Sequence, residues 1–324
     1  MSQKRRMRGF LALTTLLAAV LVLGSSAAWS AEKKVVLMWV GKAAMAKRVS
    51  TGFIWGMKEL APQVELVQYR DLDSMNSAEK IFNEAQTGSN GIIFLRSNGA
   101  EFLGKLASPP KVPCFVGGCN NPTELGAVTN LNAPEGMITG VTYFIPYPKR
   151  FEAIRSIFPN VKSVCLLVQK GHPSTPIEQA GTKAQCERFK ITYNEVVAEN
   201  VTQLVEGAKQ QVNRVDLFII STTALVLDNL SSIQGVANPA KKPIFSYAGD
   251  RAEKGATAEM AANDEKMGKM LAESVVEVVV KGIPISRVPV KLDTDPDIII
   301  NETVVKALNL TIPSEVLKRA KIVK

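Results

Sequence analysis

Ser163-Val164-Cys165-Leu166-Leu167-Val168 is an apolar run of strand length, and it restarts a rhythm that the chain has already used once. Downstream of it the spacing predicts a helix over 177–189, a strand over 192–197 and a helix over 202–213. A strand over 217–220, a helix over 225–237 and a strand over 243–247 complete the series. Upstream, the same order begins at Val35-Val36-Leu37-Met38-Trp39-Val40, a buried strand. A helix over 46–60 carries Val49, Phe53, Ile54 and Met57 at apolar positions. A strand over 64–69, a helix over 77–86 and strands over 91–95 and 112–116 follow. Strands alternating with helices make βαβ units, which assemble into parallel sheets. Two such series predict an α/β protein with two Rossmann-like lobes, each built on a parallel sheet. The series meet near 141–148, where Pro146 and Pro148 favour the extended backbone of a domain crossing.

The tail leaves this rhythm. A long helical pattern over 264–281 ends at Gly282-Ile283-Pro284, then strands are expected over 288–292 and 298–300 and a helix over 302–308. A chain that returns in this way supplies two more crossings. The expected organisation is a first lobe of 31–143 plus 263–284 and a second of 145–262 plus 285–324. Parallel sheets bind ligands at the carboxyl ends of their strands, so two linked lobes place a cleft between those ends.

Residues 1–30 read as a secretory signal. Lys4, Arg5, Arg6 and Arg8 precede an apolar run over 9–24, and Ala28-Trp29-Ser30 supplies a small-x-small cleavage pattern. The run is short for a bilayer span of about 20 residues, and no cysteine near the cleavage point invites a lipid anchor. Cleavage near Ser30 and an exported, periplasmic protein are expected. The net charge of +9 falls to +5 without those four basic residues. The remaining Lys and Arg are scattered rather than interleaved with aromatics, which argues against a nucleic-acid partner. Four cysteines, Cys114, Cys119, Cys165 and Cys186, permit three full pairings in an oxidising compartment, and Cys114 and Cys119 are close enough in sequence to close a small loop. Cys165, in an apolar run, suits a buried free thiol. With one histidine and no C-x-x-C, no metal site is expected. Gly117-Gly118 lacks the spacing of a nucleotide fingerprint, so no cofactor is expected either.

Several runs are similar to one family. Met137-Ile138-Thr139-Gly140-Val141-Thr142, Phe158-Pro159-Asn160-Val161-Lys162-Ser163-Val164, Gly235-Val236-Ala237-Asn238 and Lys242-Pro243-Ile244-Phe245-Ser246 occur in order, followed by Lys254-Gly255-Ala256 and Ala307-Leu308-Asn309-Leu310-Thr311-Ile312-Pro313. Together they resemble the ABC-transporter substrate-binding proteins of the tryptophan/tyrosine type, across essentially the mature chain. The resemblance implies a type I periplasmic-binding-protein fold with three crossover segments. It also implies a monomer that captures a small-molecule ligand by hinge closure and hands it to an ABC permease in the inner membrane. No catalysis is implied. Ligand loops would fall at 39–45, 96–100, 117–123, 169–176, 221–224 and 246–250. Two departures stand out: Asn121-Pro122 replaces the usual Asp-Pro, and Thr223 stands where an Asp is usual. Losing two carboxylates removes the usual anchors for a ligand ammonium and shifts weight toward a neutral or anionic ligand.

The candidate ligand-binding residues follow from these loops. Ser97 and Asn98 open a helical stretch after a strand, where backbone N–H groups attract anions, though they would serve equally as a cap. Ser221, Thr222 and Thr223 hold the matching place in the second lobe. Trp39 and Tyr247 end strands and offer flat rings to sandwich a ligand; core packing is the competing role, more so for Trp39. Asn120 and Asn121 offer donors and acceptors beside a Pro122 turn, and Asp250 is the one acid in these loops. The ligand expected is an amino acid, aromatic ones included, or a related carboxylate. His172, in a Gly171-His172-Pro173 turn, lacks any pattern of catalytic partners. An exported cleft hydrolase therefore ranks below a binding protein, and a sensor feeding a membrane receptor would share the same fold. A DNA-binding repressor would need a helix-turn-helix where the export signal stands.

Overall fold

The computed structural model describes residues 33–324, so the signal and its cleavage point lie outside the described residues. The first sheet contains β1 (Lys34–Val40), β2 (Glu65–Leu72), β3 (Gly91–Leu95), β4 (Cys114–Cys119), β5 (Ile138–Thr142) and β11 (Lys291–Leu292), in the order β11-β5-β4-β3-β1-β2. Every pairing in it is parallel. The second contains β6 (Ser163–Gln169), β7 (Thr192–Ala198), β8 (Leu217–Ile220), β9 (Ile244–Ser246), β10 (Ala258–Ala261), β12 (Asp297–Asn301) and β13 (Lys321–Val323). Its order is β13-β12-β10-β9-β8-β6-β7, parallel except where β12 runs antiparallel to β10.

Burial on both faces explains why the central strands β1, β3, β6 and β8 are continuous apolar runs, while β2 and β7 at the sheet edges are mixed. Side chains still alternate in direction. Val35, Leu37 and Trp39 enter one core while Val36 and Met38 enter the core across the sheet. In the second lobe Val164, Leu166 and Val168 face one core and Cys165 and Leu167 the other.

Helices connect the strands: α1 (Ala44–Leu60), α2 (Met75–Gly88) and α3 (Ser97–Gly104) in the first lobe, then α4 (Tyr147–Ile157), α5 (Ser174–Phe189) and α6 (Val201–Gln211) in the second. Caps sharpen their starts: Ser74 and Asn200 accept the backbone N–H three residues on. The helix expected over 225–237 is two, α7 (Ala224–Asp228) and α8 (Leu230–Ala237), broken at Asn229. Next come α9 (Asp264–Val275), α10 (Glu302–Ala307) and α11 (Ser314–Leu317). α9 packs on α1 with backbones in contact: a Cβ added at Gly52 would lie 2.2 Å from the Glu265 carbonyl oxygen, and one at Gly268 2.2 Å from that of Val49. This packing ties the late helix to the first lobe.

The chain crosses between sheets after β5, after β10 and after β11. One expected boundary needs correction. Residues 285–292 stay with the first lobe: Lys291 and Leu292 pair with Val141 and Thr142, and Ile285, Val288 and Val290 fill first-lobe cores. The final crossing therefore lies at 293–296. The four cysteines are buried free thiols. Cys114 and Cys119 end a single strand that advances roughly 3.3 Å per residue, which separates them too widely for a bridge. Among the described residues no helix is long and apolar enough to cross a membrane.

Candidate ligand-binding cleft

A cavity of about 90 Å³ lies between the lobes at the carboxyl ends of β1, β3, β8 and β9. A water needs roughly 10–15 Å³ by this measure, so the space takes several waters or one small solute. Met45, Leu227 and Tyr247 supply apolar surface, and Arg96, His172 and Thr222 supply polar groups.

The back of the cleft is a chain of hydroxyls ending on a carboxyl group. Ser174 donates to Ser97 Oγ at 3.0 Å, Ser97 Oγ lies 3.3 Å from the Tyr143 hydroxyl, and Tyr143 lies 3.0 Å from Thr222 Oγ1. Thr222 then donates its hydroxyl to Glu178, whose carboxylate also accepts the Thr222 N–H at 3.2 Å and Asn120 Nδ2–H at 3.3 Å. The Thr222 hydroxyl proton goes to Glu178, and the linked hydroxyls behind it form a chain in which successive bonds polarise one another. Ser97 and Asn120 belong to the first lobe, Ser174, Glu178 and Thr222 to the second, and Tyr143 to the crossing itself. Burial pushes the Glu178 carboxyl up to about 7, against the lowering pull of Thr222 and Arg150. Burial, with Glu178 close by, pushes Tyr143 up to about 12, so its phenol stays protonated. Arg150 donates to the carbonyls of Ile145, Tyr247 and Met260 and lies 4.4 Å over the Tyr247 ring, fixing that ring at the cavity wall.

The mouth is ionic. Arg48 bonds Asp264 at 2.7 and 2.8 Å and reaches Asp250 at 3.3 Å; Asp250 also pairs with Arg251 and Lys254. Burial raises the Asp264 carboxyl to about 6 despite Arg48. Burial opposes ionisation of Asp250, but Lys254, Arg48 and Arg251 outweigh it and hold its carboxyl below the ordinary value. Three backbone N–H groups, from Asp250, Arg251 and Ala252, converge on Glu259 and hold this loop in place.

Arg96 stands apart from both. It sits at φ 73°, ψ 164°, a region populated almost only by glycine, which costs on the order of 1–3 kcal/mol. Its guanidinium donates to the Val40 carbonyl and lies over Gly41, where a Cβ would come within 3.1 Å. Burial lowers its pKa. His172 is pushed down to about 4 by burial and then by the Arg96 charge, so it is neutral at physiological pH. Its Nδ1 accepts the Ser174 N–H at 3.1 Å, which makes Nε2 its donor nitrogen.

Of the residues expected to bind ligand, Ser97, Thr222 and Tyr247 line the cavity. Asn120 stands one bond behind, on Ser97 and Glu178. Trp39 does not reach it: the ring faces the first-lobe core and donates to Asp71 at 3.0 Å. Asn121 accepts from the Thr123 N–H and hydroxyl and builds the turn at Pro122. Ser221 and Thr223 bond each other at 2.7 Å, buried beneath the loop. Asn98 is away from the lining, with a buried Oδ1 that has no partner among the described residues. Asp250 is an ion-pair hub at the rim. Sequence reasoning passed over Arg48, Arg96, Tyr143, Glu178 and Asp264. Only Arg96 carries a local signal in the sequence, a charge placed directly after the apolar run Gly91-Ile92-Ile93-Phe94-Leu95.

The structure is similar to a domain from Streptococcus pneumonia solved in complex with L-Trp, at 19% identity and a TM-score of 0.80, covering 90% of this chain and 100% of that one. The ligand-free, open form of a substrate-binding protein with adhesive properties from Clostridium difficile matches at 20% identity and a TM-score of 0.73, over 90% and 99% of the two chains. These likenesses establish the fold as that of the type I periplasmic binding proteins. A tyrosine-binding protein from Clostridioides difficile (strain R20291) is 23% identical over 199 residues, 61% of this chain; the match spans 57% of the relative's length. The model of the family described as ABC transporter substrate binding protein matches residues 36–324, and the chain belongs to that family.

Proposed function

We propose that this protein is the solute-binding component of an ABC importer, exported to the periplasm, and that it captures one small organic ligand by hinge closure and delivers it to an inner-membrane permease. The observation that carries this reading is the cavity itself: its walls come from both lobes, and the Ser97–Tyr143–Thr222–Glu178 chain links those lobes behind it. Residues lining from two bodies bind best when the bodies close, so ligand occupancy becomes a shape that a permease reads. The ligand class is a small amino acid, aromatic ones included, or a related carboxylate. Tyr247 and the apolar lining support it, as do relatives named for tyrosine or solved with L-Trp. Ser97, Thr222 and Tyr247 are the contacts proposed. The protein acts as a monomer without a cofactor, and the family's members are binding proteins rather than enzymes.

Native mass spectrometry of the purified mature protein, before and after denaturation, tests for a retained ligand. Calorimetry against amino acids, carboxylates and sugars, with small-angle scattering on each hit, tests affinity and closure. The expected result is binding of an amino acid or carboxylate with a smaller radius of gyration. Binding of sugars alone, or turnover of the bound compound, would overturn the reading.

A further inference from the structure

The charges lining the cleft do not balance. Lys42, Arg48, Arg96 and Arg251 face it, against Asp228 and Asp264. Arg48 is matched by Asp264, and Arg251 by the adjoining Asp250. Among the described residues Arg96 has no carboxylate within ion-pair distance, its one hydrogen bond going to a backbone carbonyl. Lys42 has no ion pair either among the described residues, and with Asp264 taken by Arg48 the exposed Asp228 is the lining carboxylate left to these two cations.

A half-buried guanidinium that feels Asp228 and Asp71 only from beyond ion-pair distance, held in backbone geometry that an arginine rarely adopts, is costly unless it has a purpose. An arginine's planar fork matches a carboxylate with two parallel hydrogen bonds. His172, whose Nδ1 accepts the Ser174 N–H and which therefore carries its proton on Nε2, lines the same cavity. On the ammonium side Asp264 is occupied by Arg48, and Glu178 lies behind the lining, where it accepts from Thr222 and Asn120. The remaining carboxylate of the lining, Asp228, is exposed and its charge already acts on Arg96. An apolar body would meet Met45, Leu227 and Tyr247.

Building on the binding-protein reading above, we propose that Arg96 is the specificity-determining residue of the cleft and that it selects an organic carboxylate of net negative charge over a zwitterionic amino acid of the same shape. Arg96 anchors the carboxylate, His172 adds a second donor, and an α-ammonium group is a disadvantage beside Lys42 and Arg96.

Matched pairs of probes isolate that single group: L-phenylalanine with 3-phenylpropionate, L-tyrosine with 3-(4-hydroxyphenyl)propionate, and L-leucine with 4-methylpentanoate. Calorimetric titration of the full mature protein is expected to show at least one deaminated carboxylate binding about ten-fold or more tighter than its amino acid. That is the effect of removing one unfavourable charge contact of ordinary size. Arg96→Gln should weaken the carboxylate by roughly 10–150-fold, the loss of a charge-assisted hydrogen bond, and bring the two members of the pair together. Arg96→Lys should keep the preference at reduced affinity. Arg96→Gly, whose backbone suits φ 73°, should fold and show the same loss as Arg96→Gln, so a misfolded glutamine variant does not block the test. Tighter binding of the amino acid by the wild type would overturn the anion proposal and leave the binding-protein reading standing. An unchanged ratio in both Arg96→Gln and Arg96→Gly would also overturn it, because it would give Arg96 a purely structural part. Binding of neither series would overturn the anion proposal together with the ligand class from which it starts.

Discussion

The back and the mouth of the cleft join the same two lobes by different physics. At the back, Ser97, Ser174, Tyr143 and Thr222 pass hydrogen bonds along a buried line into Glu178. At the mouth, Arg48, Asp250, Asp264, Arg251 and Lys254 form a part-exposed ionic mesh. Buried hydrogen bonds are costly to break because the orphaned groups find no water, whereas exposed ion pairs are replaced readily by solvent and salt. The difference assigns them separate work. The back holds the lobes in register around the crossing, and the mouth can open and close at little energetic cost.

The contrast breaks most sharply at Glu178. Glu178→Ala leaves the Thr222 N–H and Asn120 Nδ2–H without their acceptor in a dry site. Each orphaned donor costs roughly 1–3 kcal/mol, so a loss of about 2–6 kcal/mol in unfolding free energy is expected from denaturant titration. A loss below about 0.5 kcal/mol, the size of a surface substitution, would deny the back its structural role. Tyr143→Phe removes one hydroxyl from the middle of the chain and keeps the ring, and about 1–2 kcal/mol should be lost by the same measurement. If Tyr143→Phe cost more than Glu178→Ala, Glu178 would not be the group on which the back of the cleft depends.

This contrast also marks what was legible in the sequence. The buried central strands were, because they are apolar runs fed by a helix, as in 163–168 and 35–40, whereas β5, β10 and β13, at Ile138–Thr142, Ala258–Ala261 and Lys321–Val323, are short or mixed runs that gave no such signal. The late helix was legible as a helix, but its lobe was decided by Gly52 and Gly268, where two helical backbones meet; a glycine in a helical pattern does not name its partner. The segment 285–292 was assigned to the wrong lobe, since Ile285, Val288 and Val290 are apolar enough for either core. Trp39 ended a strand next to the loops, and only the pleat, which turns it toward the core with Leu37, kept it from the cavity. Glu178 was the hardest to see. α5 buries a polar stripe of Ser174, Glu178 and Thr182, four residues apart, so an apolar periodicity search starts the helix too late and takes the glutamate for a solvated one.

Proton titration sharpens the same comparison. The folded carboxyl of Glu178 is raised to about 7, above its ordinary value of 4.5. Its contribution to stability is therefore complete at low pH and is lost as pH rises through 7. His172, depressed to about 4, has the opposite sign: its contribution is present above pH 6.5 and is lost as pH falls toward 4. Below pH 6.5 the two oppose one another, so the window from pH 6.5 to 8 belongs mainly to Glu178. Across it wild-type stability should fall by about 1 kcal/mol, and Glu178→Gln should flatten the slope in a series of melting curves. An unaltered slope in the variant would assign the titration elsewhere.

The mouth supplies the smallest effect and the one most dependent on conditions. Arg48 leaves Asp250 two other cations when removed, and the Arg48 and Asp250 side chains remain 31% and 27% accessible. Arg48→Ala should cost no more than about 1 kcal/mol at low salt, and less at high salt, where the Debye length shrinks to about 3 Å at 1 M. Arg48 also holds the Asp264 carboxyl down against its burial, so the variant should leave that group protonated at higher pH. Measuring Arg48→Ala and Glu178→Ala at two salt concentrations separates the regions directly. A salt-dependent loss for Arg48 beside a salt-independent loss for Glu178 is the expected pair. Equal salt dependence would mean that water reaches the back of the cleft, and that one kind of interaction, rather than two, spans the lobes.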